Sequence, residues 1–202
     1  MWYYNGEIIK TPKTMNIGDL QYNKELFQDA EKMAELGIKP YRLVTPDSRY
    51  FNNGGYSVDE SGDEVVGTYA AKGKNTDALT ERMLSSIKSQ LTNRLEATDW
   101  YYLRKLRTGT DVPADIQEYS DTLYSEYDTK KSEISAMNKI SQIEEYENRA
   151  HTEVRKVKSF KNNKTIYGPE TTSFTRHINM CMHWTASPND DVDPSFVSLT
   201  AD

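Results

Sequence analysis

Three residues near the C-terminus are competent soft-metal ligands, because "HINMCMHW" places His177, Cys181 and His183 within seven residues. On an extended strand these odd-numbered positions share one face. No fourth ligand is indicated and the spacing matches no closed tetrahedral site, so a strand with ordinary polar residues is the expected reading. Downstream, "NDDVDP" offers Asp190, Asp191 and Asp193 as hard oxygen ligands for Ca²⁺ or Mg²⁺. It lacks the turn glycine and closing glutamate of an EF-hand and reads as a solvated acidic turn. Asp99 beside Trp100 has the residue types of a general acid in an aromatic setting, but no second group can be placed near it. Asp99 is therefore expected on the flank of a helix, paired with Arg104 or Lys105. The basic run Arg155, Lys156, Lys158, Lys161 and Lys164 suits an acidic surface, including a neighbouring copy's acidic helix, or simply solvent. Nucleophile-elbow, phosphate-loop, zincin and dinucleotide signatures are lacking. The chain is expected to be no enzyme, with neither a metal nor a cofactor.

Composition narrows the setting. Only 36% of the 202 residues are hydrophobic and 28% are charged, with a mean hydropathy of -0.81, so the core must be thin and much of the chain must face water or other subunits. Fourteen tyrosines against five phenylalanines favour surfaces that bury a ring while leaving a hydroxyl at the rim. A net charge of -6 argues against nucleic acid as a partner, which calls for a basic footprint. Cys181 is the single cysteine, which excludes an intramolecular disulfide and fits a reducing cytoplasm. The start "MWYYNGEIIK" has no signal-peptide pattern and no apolar run approaches a membrane span, so neither secretion nor membrane insertion is expected.

The elements that must position these residues fall into three zones, giving an α+β fold with units at 1–72, 73–150 and 151–202. In the first, Asn5-Gly6 between apolar stretches predicts a β-hairpin. "NKELFQDAEKMAELGIKP" predicts one amphipathic helix capped by Asn23 and closed by Gly37, with Pro40 beyond. Extended segments after it predict a small meander packed on that helix. The second zone predicts a long antiparallel helical hairpin. Leu79, Met83, Ile87, Leu91, Leu95, Tyr102 and Leu106 mark the stripe of a first helix about 32 residues and roughly 48 Å long, with Trp100 and Leu103 widening it. Gly109 closes that helix, Pro113 opens the second, and Ile116, Tyr119, Leu123, Tyr127, Ile134 and Met137 form the facing stripe. The third zone loses periodicity and is expected to be an irregular or β extension, loose unless held by a partner.

The segment "LTNRLEATDWYYLRKLRTGTDVPADIQEYSDTLYSE" resembles one recurrent in small structural and tail-fibre-associated proteins of tailed bacteriophages, through Thr98, Asp99, Trp100, Arg104, Gly109, Val112 and Pro113. Upstream, "LGIKPYRLVTPDSRYF" is similar to the arrangement in phage tail proteins and tail-fibre assembly proteins, so the likeness spans roughly residues 1–130. Tyr119 is followed by Ser120 where that pattern has a basic residue, and the zone after about residue 150 has no counterpart in it. The resemblance implies a virion tail component made in the bacterial cytoplasm, with other tail proteins and further copies of the chain as partners in a homo-oligomer. A tail-fibre assembly factor absent from finished particles is the alternative, and a hydrolase or glycan-binding protein at the tail tip a third. The interface residues so expected are Asp99, Trp100, Tyr101, Tyr102, Arg104, Gly109, Pro113 and Tyr119. With Trp100 on the apolar stripe, its ring should lock the hairpin tip. Trp100→Ala is then expected to cost about 3–5 kcal/mol, measurable as a lowered thermal midpoint.

Overall fold

Asn5 and Gly6 take positive φ values of 50° and 84° and turn β1 (Trp2–Tyr4) directly into β2 (Glu7–Ile9), as the dipeptide predicts. In the computed structural model, which describes residues 1–161, 164–188 and 196–201, this hairpin opens an α+β fold of 42% helix and 30% strand. Two compact units divide the chain, Met1–Lys74 and Asn75–Asp202, so the predicted helical hairpin and the extension after it fall in one unit.

In the first unit a second hairpin, β3 (Thr14–Ile17) with β4 (Leu20–Asn23), turns through Gly18 at φ 59°. The predicted single helix is two pieces. A 3-10 helix (Lys24–Gln28) is capped by the Asn23 side chain, and α1 (Ala30–Glu35) restarts where the Asp29 side chain accepts from the Lys32 N–H at 2.9 Å. Asp29 competes with the continuing helix by capping a new one, so the chain bends while Leu26, Phe27, Met33 and Ile38 stay on one core with Trp2, Tyr4 and Ile9.

The predicted meander is also corrected. Strands β5 (Lys39–Val44), β6 (Phe51–Asp59) and β7 (Val65–Gly73) complete a five-stranded sheet ordered β2-β1-β5-β7-β6, in which β5 and β7 run parallel. Gly67 explains why β7 takes the middle place. A Cβ there would lie 2.1 Å from the Tyr41 hydroxyl of β5 and 2.6 Å from the Tyr56 hydroxyl of β6, and these hydroxyls meet at 2.9 Å. Only a residue without a side chain lets the two tyrosines join across the intervening strand.

The second unit begins with α2 (Thr76–Glu96), capped by Asn75 and burying Leu79, Met83, Ile87 and Leu91 at the predicted four-residue spacing. It does not continue to residue 108. The Thr98 N–H and hydroxyl both reach the Leu95 carbonyl, at 2.8 and 3.0 Å, tightening the backbone into a buried turn before α3 (Asp99–Thr108). After Gly109, α4 (Ala114–Ser135) packs on α2 and buries Ile116, Tyr119, Leu123 and Ile134. The second predicted helix also breaks, and α5 (Ile140–Glu147) starts where the Gln142 side chain accepts the Asn138 and Lys139 N–H groups at 3.0 and 3.1 Å.

Of the irregular or β extension expected here, the β form is found: an antiparallel sheet ordered β10-β8-β9 from β8 (Arg149–Lys161), β9 (Lys164–Ile178) and β10 (Phe196–Ala201). Glu153 is buried on β8 between Arg155, which pairs with one carboxylate oxygen, and Arg176 of β9, which donates to the other at 3.0 Å. Burial pushes the Glu153 carboxyl upward, but the hydrogen bonds from Arg176 and Arg155 outweigh it and hold the group below its ordinary value of 4.5. The unfolded chain thus binds this proton more readily than the folded one. The stability so gained is present above the ordinary value and is lost as pH falls through the folded one. Urea unfolding at several pH values should lose stability below about pH 5 more steeply in the wild type than in Glu153→Gln. Equal slopes would contradict the assignment.

Candidate interaction surface

Gly109 adopts φ 73° and its N–H closes α3 on the Lys105 carbonyl at 2.9 Å, the left-handed helix ending expected of it. Pro113 stands at the N-cap of α4, one place before the first turn, with its carbonyl accepting from Gln117 at 3.1 Å. These two residues fix the bend between α3 and α4. Across it the Tyr102 hydroxyl donates to Ser120 Oγ at 3.0 Å, and Ser120 donates to the Ile116 carbonyl at 3.0 Å. Tyr119 is buried beside them. Ser120 therefore links α3 to α4 through Tyr102.

Trp100 does not lock this tip. It is 49% exposed, Leu103 is 52% and Leu106 83% exposed, and no residue of α3 is buried. The buried turn at Thr98 rotates α3 off the stripe of α2, so the residues that a continuous helix would have hidden face outward. The Trp100 ring lies 3.8 Å from Tyr101 between centroids, and the Arg104 guanidinium sits 5.0 and 5.5 Å from the two ring centres. Asp99 is exposed and unpaired among the described residues, because Arg104 is taken by the rings and Lys105 reaches Asp111 at 3.1 Å. The expected pairing of Asp99 is thereby corrected. The surface is aromatic and cationic, with apolar leucines beside it.

The segment after β9 is strapped to α2, α4 and α5. Lys130 of α4 is 6% exposed and donates to the carbonyls of Met180 and His183 at 2.9 and 2.6 Å, with its ammonium 5.1 Å from the Trp184 ring centre. One turn earlier, Glu126 accepts from the Thr185 N–H at 3.2 Å and from its hydroxyl. Arg94 of α2 donates to the Thr185 carbonyl at 3.2 Å, and the Met180 N–H to the Tyr146 carbonyl of α5 at 3.1 Å. Burial pushes the Lys130 ammonium below its ordinary range. The extension, expected to be loose unless held by a partner, is therefore held by its own hairpin. Lys130 was missed as a key residue, yet it falls on the stripe of Ile116, Leu123 and Ile134, and a lysine at a core position of a helix is a readable signal of a buried partner.

The candidate metal ligands are not brought together. β9 ends at Ile178, so His177 lies on the strand, with Nδ1 3.1 Å from the Asn148 carbonyl oxygen, while Cys181 lies in the following turn and His183 beyond it. The shared face required a continuous strand. The Cys181 thiol is buried, and burial pushes it up to about 11. Among the described residues no group of three metal-competent side chains converges, and Asp190, Asp191 and Asp193 lie outside the described residues. The basic run Arg155, Lys156, Lys158, Lys161 and Lys164 lies along β8 and the start of β9, and Arg155 is engaged with Glu153. Among the described residues no helix is long and apolar enough to cross a membrane.

Comparisons with protein-family models, characterised proteins and solved structures find no match to this chain.

Two outcomes distinguish the strap from the exposed face. Lys130→Ala, which leaves two carbonyls without their donor, should lower unfolding free energy by about 2–4 kcal/mol in urea titrations, and a change under about 1 kcal/mol would overturn its role. Trp100→Ala should cost no more than about 1 kcal/mol, since only the ring stack is lost. A thermal midpoint lowered as far as a core truncation would lower it would place Trp100 back in the core.

Proposed function

We propose that this chain is a non-enzymatic structural component of a tailed-phage virion, in the tail or its fibre-attachment apparatus, acting through oligomeric protein contacts. The observation that carries the reading is α3, a ten-residue helix with Trp100, Leu103 and Leu106 facing out and nothing buried in its own chain. Such a short helix is marginal in water on its own. Trp, Tyr and Arg are also the residues most concentrated at the energetic centres of protein interfaces, and here all three stand together in a stack formed before any partner arrives. The setting rests on the resemblance of this same segment, "TDWYYLRKLRTGTDVP", to phage tail proteins.

A transient assembly factor is the second reading, favoured by the smallness of the α3 face, since contacts well below standard interface size are usually short-lived. Quantitative mass spectrometry of density-purified particles separates the two. The structural reading expects a fixed copy number relative to the major capsid and tail proteins. Absence from particles, with abundance in the infected lysate, would replace it with the assembly-factor reading.

A further inference from the structure

Two faces of the second unit are chemically matched and point away from each other. On α3, Trp100, Leu103, Arg104 and Arg107 recur at three- and four-residue spacing and form the side opposite Tyr102, which faces α4. Neither arginine has a carboxylate partner among the described residues. On α4, Glu118 and Asp121 recur at the same spacing on the side opposite the buried Ile116, Tyr119 and Leu123, are exposed, and have no cationic partner among the described residues. Trp100 to Arg107 and Glu118 to Ser125 are each seven helical steps, about 10 Å.

We infer that a second copy of this chain is what covers α3: its Trp100, Leu103, Arg104 and Arg107 face docks on the Glu118 and Asp121 face of α4 of the next copy. The inference rests on the protein-contact reading above and names its surface. The chain supplies both charges in a pattern it does not satisfy internally, and the bidentate geometry of arginine suits an exposed carboxylate. The held stack of Arg104 over Trp100 and Tyr101 keeps one guanidinium oriented for that contact. Because the α3 face and the α4 face lie on opposite sides of the hairpin, the contact is heterologous. A copy that docks through α3 leaves its own α4 open to the next, so association runs past the dimer until a ring closes. Each copy in a ring uses both faces, which compensates for the modest area of either one.

Sedimentation velocity of the full chain at low and high salt tests this. The wild type should form species larger than dimers at low salt that dissociate as salt rises. Arg104→Ser with Arg107→Ser, and separately Glu118→Gln with Asp121→Asn, should each remain monomeric with unchanged circular dichroism, weakening association at least tenfold. Mixed together, these two variants retain one good face each and should stop at a one-to-one heterodimer. A monomeric wild type, or association that neither pair of substitutions alters, would overturn the inference. The broader reading is tested apart from it. If both variants enter purified particles at wild-type copy number, α3-to-α4 docking is wrong while the structural role stands; if the wild type is missing from particles, the structural role itself fails.

Discussion

The second unit depends on a buried lysine. Lys130 places an ammonium among apolar residues of α4, a position that is strongly unfavourable unless its charge is met. The carbonyls of Met180 and His183 and the face of Trp184 meet it, and all three belong to the segment that follows β9. That segment cannot leave without stranding the charge, and the charge cannot be buried without the segment. Glu126, one turn away, fixes the same strap through Thr185, so successive turns of α4 hold a length of chain that has no helix or strand of its own. The strap in turn closes over α2, α4 and α5, which have too few apolar residues to make a stable hairpin alone.

This division of labour explains the state of α3. The core of the second unit is completed by the strap, whose Cys181 and Trp184 are buried while Trp100 and Leu106 are exposed. Thr98 enforces the exchange, since its two bonds to the Leu95 carbonyl end the four-residue periodicity and turn the next ten residues outward. The outcome is a helix joined to the body by Tyr102 and Ser120 and otherwise available.

What the sequence made legible follows from local rules. The Asn5-Gly6 hairpin, the four-residue stripe of α2, the glycine ending at 109 and the proline start at 113 each depend on residues within one turn of themselves, and each is where the spacing predicts. The failures are non-local or competitive. Thr98 and Asp29 read as ordinary helical residues, and only their hydrogen bonds reveal them as breaks. The insertion of β7 between β5 and β6 depends on two tyrosines meeting over Gly67, a contact between strands that periodicity does not encode. The strand expected to carry His177, Cys181 and His183 on one face ends instead at Ile178, and a turn at residues 180–182 removes the shared face. Of the eight expected interface residues, Trp100, Tyr101 and Arg104 form the exposed stack. Tyr102, Gly109, Pro113 and Tyr119 shape the bend that presents it, and Asp99 stands exposed at the start of α3 with no ion-pair partner among the described residues.

No residue of α3 is buried in its own chain, and we propose that assembly covers it. Hydrogen exchange of the full chain, followed amide by amide in dilute and in assembled samples, addresses it most directly. The amides of residues 99–108 should exchange far faster than those of α2 and α4 in dilute solution, and should slow selectively in the assembled state. Protection of α3 equal to that of α4 in the dilute chain would contradict the account.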